Sequence, residues 1–413
     1  MSKLQPVRGT HDLYGEIADR HAVVEAIAGE QFRRYNFDVI STPIFEFTDV
    51  FARNLGETSD IVSKEMYTFE DRGGDSITLR PEFTAGVVRA FISNGWAQNV
   101  PMKVCMAGPI FRYERPQKGR QRQFHQLGVE IFGVASAQAD VEVITLGHDI
   151  LKSLGLADKV VLNLNTLGDM ESRQMYRDTL VSYLDGHKDK LSERSVERLT
   201  KNPLRILDSK EKEDQDIIKN APSMADSMNQ ASKDFFQQVQ DELSLLNIPF
   251  TLNPTLVRGM DYYCHTVFEF ITDELGAQGT VLAGGRYDGL VKLMGGPDTP
   301  AVGWGAGIER LAMMLQMPKP AANKVALVPC DAESYQRCVG LAHQLRGKGF
   351  VTDLGYAGNM GKRMKRADKV GAAFAVIIGE DELKQNAATV RDLSTGQQKL
   401  VQLEQVASYL GSI

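Results

Sequence analysis

Residues 111–133 read FRYERPQKGRQRQFHQLGVEIFG, a charged loop followed by an alternating segment. From Gln126 to Ile131, polar or small residues alternate with aliphatic ones, which is the period of a half-buried β-strand. Arg112 and several further charged residues precede this strand. Arginines beside a strand face that carries an amide, a glycine and the carboxylate of Glu130 predict a pocket. Such a pocket would bind a polyphosphate and recognise a small polar ligand.

The size and composition of the chain predict a globular protein of two or three domains. It has 413 residues, of which 43% are hydrophobic and 24% are charged. No apolar run is long enough to span a membrane, and the N-terminus, MSKLQPVRGTHDLYG, lacks the apolar core of a signal peptide. The four cysteines, which show no CxxC spacing, are Cys105, Cys264, Cys330 and Cys338. This pattern argues against a zinc site or a disulfide framework and predicts a cytoplasmic protein.

Charge is distributed unevenly along the chain. The net charge is −6, which is not typical of a nucleic-acid-binding protein. Residues 324–413 contain 12 Lys and Arg against 9 Asp and Glu, so this segment carries +3 and the remainder −9. A basic C-terminal unit on an acidic body is compatible with RNA contact through that unit only. Ordinary variation in surface charge explains the same numbers.

Hydrophobic periodicity predicts mixed secondary structure before residue 317. We expect helices at 16–36, 81–93 and 308–314, extended chain at 37–47, and strands at 76–82, 102–113, 124–134, 160–166, 249–271 and 278–284. Residues 169–246 are polar and poor in β-branched clusters, and they predict helices joined by a loop near Asn202 and Pro203. The sequence therefore predicts a strand-rich body with an inserted helical segment.

A linker with two prolines, MPKPAAN at 317–323, predicts the main domain boundary. Beyond it, strands are expected at 325–329, 351–353, 373–378 and 388–392, and helices at 332–347, from 360, and at 402–410. This alternation predicts a small α/β unit. The division is then a first domain at 1–318, a linker at 319–323 and a second domain at 324–413.

The segment AVGWGAGIERL at 301–311 predicts a second part of the pocket. Gly303, Gly305 and Gly307 share one face of a strand, so this face has no side chains and a flat ligand such as adenine could lie on it. Arg310 follows at the start of the next helix, where it could reach a phosphate. Close packing of a helix on a sheet is an alternative explanation. The chain has neither GxGxxG nor GxxxxGK[ST], which excludes a Rossmann fingerprint and a P-loop.

Three further segments each indicate a ligand site only weakly, but their occurrence together and in this order along the chain is a strong indication. TLRPEFT at 78–84 places Arg80, Glu82 and Thr84 at alternate positions near a strand end. LVRGMDYYCHTVFEF at 256–270 contains two adjacent tyrosines after an arginine, a pattern that core or interface aromatics also produce. LAGGRYDGL at 282–290 contains a Gly-Gly turn that permits close approach of the backbone.

Together these segments resemble the bacterial histidyl-tRNA synthetase family of class II aminoacyl-tRNA synthetases, over essentially the full chain. The matching segments, in order, are RGTHD at 8–12, the motif 1 region ending at Pro43, TLRPE at 78–82, the motif 2 segment at 111–126, LVRGMDYY at 256–263, LAGGRYDGL at 282–290 and the motif 3 segment GAGIERL at 305–311. The LVRGMDYY and LAGGRYDGL motifs are those that separate this family from other class II synthetases.

The resemblance implies a fold and an activity. The fold would be an α+β catalytic domain with the antiparallel class II sheet flanked by helices, a helical insertion at about 169–247 and a C-terminal α/β anticodon-binding domain. The activity would be ligation of histidine to tRNA(His) through histidyl-adenylate, using ATP and Mg²⁺. The family is homodimeric through motif 1, so residues 31–47 are the expected interface.

The resemblance also implies residue roles. The catalytic set would be Arg112, Arg258 and Arg310. The ATP-binding set would be Arg112, Arg120 and Arg310. The histidine-binding set would be Glu82, Phe83, Thr84, Gln126, Glu130, Arg258, Tyr262 and Tyr263. Arg115 and Gln117 would meet the tRNA acceptor end. The anticodon side would use Lys362, Arg363, Lys365 and Arg366, although a solvated helix face explains this basic cluster equally well. No protein side chain is assigned to a metal ion.

Four positions depart from the pattern of the family. Phe83 stands where glycine is expected, Tyr113 where histidine is expected, and Cys264 and His265 where Asn-Arg is expected. Phe83 would alter the wall of the histidine pocket, and the last two positions put contacts behind the pocket in doubt. None of these changes removes a charged catalytic group.

Two other functions are compatible with parts of the pattern. A catalytically silent paralogue of the family serves as a regulatory subunit of ATP phosphoribosyltransferase, and it typically lacks the LVRG-tyrosine motif and the C-terminal domain. Both features are present here. A class II synthetase for threonine, proline or glycine is the other alternative, and the pair of histidine motifs argues against it.

Overall fold

The computed structural model describes residues 3–52, 64–258, 260, 262–276, 279–317 and 324–413. The chain forms two compact units, Met1–Leu315 and Gln316–Ile413. The predicted linker at 319–323 lies outside the described residues. In the described part of the chain, no helix is both long enough and apolar enough to cross a membrane.

The first unit is built on a sheet of eight strands. Its elements before the helical segment are α1 (Glu16–Arg34), β1 (Asp38–Val39), β2 (Phe45–Phe47), α2 (Asp49–Ala52), β3 (Tyr67–Glu70), β4 (Ser76–Leu79), α3 (Thr84–Ser93), β5 (Met102–Phe111), β6 (Gln123–Phe132), α4 (Gln138–Ser153) and β7 (Val161–Thr166). Strands β2, β4 and β3 form a separate small antiparallel sheet. The predicted strand at 76–82 ends at Leu79, and helix α3 begins at Thr84 instead of near residue 81.

The helical segment begins at Met170, and the large sheet is completed after it. The remaining elements of this unit are α5 (Met170–Asp185), α6 (Glu193–Lys201), α7 (Lys212–Lys219), α8 (Met224–Ser227), α9 (Gln230–Leu245), β8 (Thr251–Leu252), β9 (Cys264–Ile271), β10 (Thr280–Arg286), α10 (Leu290–Leu293), β11 (Ala301–Gly307) and α11 (Ile308–Met314). Side chains of Asp169, Ser192, Ser223 and Asn229 accept backbone N–H groups and cap four of these helices.

The order of the large sheet places the sequence motifs side by side. It runs β1-β5-β6-β11-β10-β9-β7-β8, and all pairs except β1 with β5 and β7 with β8 are antiparallel. This confirms the predicted sheet flanked by helices. The strands predicted at 249–271 are present as β8 and β9, but the prediction was wrong at residues 253–258, which form turns and irregular backbone between them.

Strand β6 has the predicted alternation. Leu127, Val129 and Ile131 point into a core formed with α1 and α4. The opposite face carries Gln126 and Glu130, and Glu130 is only 2% exposed. Gln126 is partly exposed, whereas Glu130 is buried and its carboxyl group needs partners inside the protein or from a ligand.

A buried ion pair joins α4 to the end of β10. Arg286 donates to the carboxylate of Asp140, and both side chains are completely buried. The same guanidinium donates to the carbonyl oxygens of Val134 at 2.9 Å and Ser136 at 3.1 Å. These bonds satisfy the buried charge, and they hold the backbone that carries the neighbouring Tyr287.

The second unit is an α/β fold with a five-stranded sheet. Its elements are β12 (Lys324–Pro329), α12 (Ala332–Gly347), β13 (Val351–Leu354), α13 (Met360–Lys369), β14 (Phe374–Ile378), α14 (Glu380–Lys384), β15 (Ala387–Asp392), β16 (Gln398–Gln402) and α15 (Val406–Leu410). The sheet order is β13-β12-β14-β15-β16. The α/β prediction is confirmed. The predicted helix at 402–410 was too long, and strand β16 before it was missed because it shows almost no apolar alternation.

Candidate active site

One cavity of about 260 Å³ lies against strands β6, β10 and β11 in the first unit. The predicted pocket residues that line it are Glu82, Phe83, Thr84, Arg112, Arg120, Gln126, Glu130, Arg258, Tyr262, Tyr263 and Arg310. These residues come from segments up to 228 positions apart in the chain, between Glu82 and Arg310. The structure thus brings every predicted histidine-binding and ATP-binding residue to a single cavity.

Glu130 is the most deeply placed acid of the cavity. Its carboxylate accepts the Thr84 hydroxyl at 2.7 Å and also the Tyr287 hydroxyl. Burial raises the pKa of Glu130 to about 8, although both hydroxyl donors act in the opposite direction. A carboxyl group in this setting can bind a proton near neutral pH, which suits it to meet a ring nitrogen that also titrates near neutrality.

A second acid and three tyrosine rings form the wall next to Glu130. Glu82 accepts the backbone N–H of Ala85 at 2.7 Å at the start of α3, and the Tyr262 hydroxyl donates to it at 3.4 Å. Burial raises the pKa of Glu82. The ring of Tyr262 lies 4.7 Å from Tyr263 and 5.6 Å from Tyr287, between ring centroids. This corner therefore offers carboxylates and hydroxyls in an otherwise aromatic wall.

Three arginines also line the cavity, and each is held by a different acceptor. Arg112 donates through Nε to the Pro81 carbonyl at 2.8 Å, and its guanidinium carbon is 5.6 Å from the centre of the Phe124 ring. Arg310 donates through Nη1 to the Thr280 carbonyl at 2.6 Å, and burial lowers its pKa. Arg258 pairs through Nη1 with Glu269 at 3.3 Å. Such preset cations match an anionic ligand with several charged oxygens.

The loop between β5 and β6 is closed by a turn that places Arg120 at the cavity. Gln117 and Arg120 exchange backbone hydrogen bonds around Gly119, whose φ of +73° favours glycine. Arg120 pairs with Glu114, a buried acid of the same loop. Arg115 and Gln117 are exposed and do not line the cavity, so the structure separates them from the pocket set.

The glycine face of β11 lines the cavity as expected. At Gly303 a Cβ atom would overlap the Glu130 carboxylate on the adjacent strand, so a side chain there would displace this acid. At Gly305 a Cβ atom would lie 3.5 Å from Gln126 Oε1, the nearest heavy atom. The space above Gly305 and Gly307 is consistent with a flat ligand, and the assignment to adenine remains a prediction.

Of the four unusual positions, only Phe83 lines the cavity. Its ring is buried and lies 4.5 Å from the Arg80 guanidinium carbon. Tyr113 is half exposed and lies under the guanidinium of Arg122 at 3.9 Å. Cys264 is buried outside the cavity, and His265 has a φ of +45° and lies 4.7 Å from the Phe235 ring. The latter three positions therefore affect the pocket only indirectly.

Sequence reasoning missed Tyr287, Glu269 and Thr280. Tyr287 lies in the quoted LAGGRYDGL segment. Its hydroxyl reaches Glu130 on β6 because one strand, β11, separates β6 from β10 in the sheet. Glu269 and Thr280 lie on β9 and β10 and contact the arginines. Nothing in the local pattern distinguishes these residues from ordinary strand residues.

The raised pKa of Glu130 predicts a pH-dependent stability. The pKa of Glu130 is about 8 in the folded chain and about 4.5 in the unfolded chain, so the folded chain binds the proton of this carboxyl group more tightly. The free energy of unfolding should therefore decrease as the pH rises from about 4.5 to about 8. Glu130→Gln cannot ionise, and we expect its melting temperature to exceed that of the wild type by more at about pH 8.5 than at about pH 5.5. Glu142→Gln, at a partly exposed carboxylate that pairs with Lys103, is the control. An equal difference at both pH values would contradict the prediction.

The basic residues predicted for the anticodon side lie on α13 of the second unit and differ in their surroundings. Lys362 and Lys365 are exposed. Arg366 pairs with both carboxylate oxygens of Asp353 at 2.7 Å. Arg363 donates to the Pro329 carbonyl and is only partly exposed. The two lysines are thus the members of the cluster that are most available to an external anion.

Comparisons with known proteins agree with this geometry. A family model described as Histidyl-tRNA synthetase matches residues 9–311, and one described as Anticodon binding domain matches residues 324–413. Histidine–tRNA ligase of Rhodospirillum rubrum is 54% identical and covers 99% of each chain. The corresponding ligase of Gluconacetobacter diazotrophicus is 53% identical over the full length of both.

A solved structure supports the same assignment. The crystal structure of apo S. aureus histidyl-tRNA synthetase is similar to this chain with a TM-score of 0.82 and 35% identity, and it covers 99% of this chain and 100% of the S. aureus chain. The cavity, the two units and these relatives lead to one conclusion: the chain belongs to the histidyl-tRNA synthetase family.

Proposed function

We propose that this chain is a histidine–tRNA ligase that activates L-histidine with ATP and then transfers histidine to the 3′ end of tRNA(His). The observation that carries the proposal is the meeting of Arg112, Arg258 and Arg310 with Glu130 and Tyr263 in one cavity. This arrangement pairs a site for a polyphosphate with a site for a small polar side chain. The family membership and the full-length ligase relatives support it.

The arginines address the main physical problem of activation. A histidine carboxylate must approach the α-phosphorus of ATP, and both reactants are anionic. Guanidinium groups that are already oriented offset this repulsion and the charge that develops in the transition state. Arg112 and Arg258 are proposed to act at the α-phosphate and the substrate carboxylate. Arg310 and Arg120 are proposed to hold the remaining phosphates.

Histidine selection is proposed to rest on Glu130 and the tyrosine wall. An imidazole ring presents two nitrogens, one donor and one acceptor in its neutral form. Glu130 and the hydroxyl of Tyr263 can meet these groups, while Glu82 and Thr84 can receive the α-amino group. An amino acid without ring nitrogens would leave these buried groups unpaired, at about 1–3 kcal/mol for each.

Mg²⁺ is proposed to accompany ATP. The carboxylates of Glu114 and Glu309 line the cavity and offer oxygen donors of the type that this ion prefers, but Glu114 already pairs with Arg120 and Glu309 with His125, so the phosphates would supply most of its ligands. Bound to the phosphates, Mg²⁺ would reduce their negative charge. The protein's own contribution is the fixed set of arginines around the same space.

The test of the proposed function is histidine-dependent exchange of pyrophosphate into ATP, followed by charging of tRNA(His). We expect exchange with histidine and none with threonine, proline or glycine. Absence of exchange in folded protein would refute the proposal and would favour the regulatory-subunit alternative. That alternative is disfavoured by the complete arginine set and by the ligase relatives that match over the full length.

The second unit is proposed to bind the anticodon arm through α13. Replacement of both Lys362 and Lys365 by alanine is expected to raise the KM for tRNA several-fold. The slope of log KM for tRNA against log salt concentration should also fall by about 1 for each phosphate that is no longer neutralised. Pyrophosphate exchange should stay unchanged. Arg363 and Arg366 are left intact because their side chains hold Pro329 and Asp353.

Lys348, an exposed lysine elsewhere in the second unit, provides the control for charge removal. Its replacement by alanine should leave the KM for tRNA close to that of the wild type. If the Lys362 and Lys365 double variant loses pyrophosphate exchange as much as it loses tRNA charging, the result would argue against an anticodon role for these lysines.

A homodimer that acts in the cytoplasm is proposed on the family pattern and on the surface of the first unit. Val39, Phe45, Phe47 and Phe69 are large apolar residues that are about half or more exposed, and the three aromatic residues lie on the small β2-β4-β3 sheet. Exposed apolar side chains grouped on one element are typical of an interaction site. Light scattering of the purified chain measures its mass directly, and a monomer at micromolar concentration would contradict the proposal.

A further inference from the structure

We propose that Glu269 is a positioning residue for Arg258, and that it links Arg258 to Arg310 through Thr280. The inference rests on the proposed function, because it concerns the arginines that would act on ATP. Glu269 does not line the cavity, so its effect on the reaction would be transmitted through the side chains that it holds.

The need for such a residue follows from the location of Arg258. The described residues before it, 253–258, form turns and irregular backbone, so no strand or helix of this segment fixes the side chain. Its Nη1 pairs with Glu269 Oε2 at 3.3 Å. Its Nε is buried and has no hydrogen-bond partner among the described residues. An anionic oxygen of the substrate would satisfy this donor, whose lack of a partner costs about 1–3 kcal/mol.

Glu269 itself is firmly placed. It lies in β9, between β7 and β10, where it is opposite Asn163 on one side and Ala283 on the other. Its side chain is 17% exposed. Because it lies on an interior strand, the Glu269 carboxylate can hold the Arg258 side chain in one position more firmly than the irregular segment that carries Arg258.

Thr280 connects this pair to the second arginine. The Thr280 hydroxyl donates to Glu269 Oε2 at 3.1 Å, which is the same oxygen that accepts Arg258. The backbone carbonyl of Thr280 accepts Arg310 Nη1 at 2.6 Å. The positions of the Arg258 and Arg310 guanidinium groups are therefore coupled through the Glu269 carboxylate and Thr280 of β10. This is the geometry expected of a network that sets the spacing of two cations around one polyphosphate.

The two substitutions at Glu269 separate its contacts from its charge. Glu269→Ala removes both contacts, and we expect kcat for pyrophosphate exchange to fall by about 10- to 100-fold, with KM for histidine and ATP changed by less than about threefold. Glu269→Gln keeps an oxygen that can accept from Arg258 and Thr280, and it should retain activity within about fivefold of the wild type. Equal losses in both variants would overturn the positioning role.

Thr280 provides an independent variant that spares the carboxylate. Thr280→Val removes the hydroxyl but keeps the backbone carbonyl that holds Arg310, so a smaller loss in kcat is expected. Thr280→Ser should restore activity because it retains the hydroxyl. Loss of activity in Thr280→Ser equal to that in Thr280→Val would contradict the link through this hydroxyl.

A double-variant cycle tests whether Glu269 acts through Arg258. If it does, Arg258→Ala combined with Glu269→Ala should be no slower than Arg258→Ala alone. A further tenfold loss in the double variant would overturn the assignment of Glu269 as a positioning residue for Arg258. Glu274→Ala is the matched control, because Glu274 follows the same strand and pairs with Lys159 at 3.1 Å outside the cavity. It should keep wild-type kcat.

The wild-type assay separates the positioning role from the proposed function. If the wild type shows no histidine-dependent exchange, the proposed function fails. If the wild type is active and Glu269→Ala matches it in kcat, the proposed function stands and only the positioning role fails. Melting temperatures close to the wild type's exclude loss of folding as the cause of a reduced kcat.

Discussion

Arg112→Ala is expected to reduce histidine-dependent pyrophosphate exchange by about 100- to 1000-fold, the range found when one preset donor to a developing charge is removed. The side chain is anchored before substrate arrives, because Nε donates to the Pro81 carbonyl and the guanidinium lies near the Phe124 ring. Little reorganisation is then needed during the reaction. Steady-state exchange at saturating histidine and ATP measures the effect on kcat.

The control for Arg112 is Arg177→Ala on α5. Arg177 is exposed and does not line the cavity, so its removal should change neither kcat nor KM. Arg112→Lys keeps the charge but cannot reproduce the planar fork of donors, and we expect it to recover only part of the rate. Wild-type kcat in Arg112→Ala would remove Arg112 from the catalytic set.

Glu130→Ala is expected to raise the KM for histidine by about 10- to 100-fold while it changes the KM for ATP much less. The Glu130 carboxyl group is proposed to bind a ring nitrogen, and loss of one hydrogen bond in a buried site costs about 1–3 kcal/mol. Thr84 and Tyr287, which donate to this carboxylate in the folded chain, would also be left without their acceptor. Separate titrations of histidine and ATP in the exchange assay measure both constants.

Two further variants test the Glu130 assignment. Glu142→Ala removes a carboxylate that pairs with Lys103 outside the cavity, and it should leave both constants unchanged. Tyr287→Phe keeps the ring and removes only the hydroxyl that donates to Glu130, so a smaller rise in the KM for histidine is expected. Unchanged histidine affinity in Glu130→Ala would refute the pocket assignment.

Much of this site was predictable because several signals are local. The alternation at Gln126 and Glu130 depends only on strand period, and the bare face at Gly303 depends only on the absence of side chains. Arg112 and Arg310 stand out as arginines next to such faces. The order of the quoted motifs along the chain is enough to indicate the family.

The errors also have local causes. The strands predicted at 249–271 were wrong at residues 253–258, because apolar residues in a loop that packs against the body mimic a strand. Strand β16 was missed because its burial pattern is almost entirely exposed, so the sequence shows no alternation there. In both segments, tertiary contacts outweighed local preference.

The amino-acid sequence alone settles the alternation of β6 and the types of charged group that the pocket contains. It does so because strand period and residue chemistry are local properties. The partners of those groups were decided by the folded chain. Tyr287 donates to Glu130, and Glu269 holds Arg258, only because β9, β10, β11 and β6 lie side by side in an order that differs from their order along the chain. Hydrogen bonds act over about 3 Å, so contacts between distant segments depend on this arrangement of the strands.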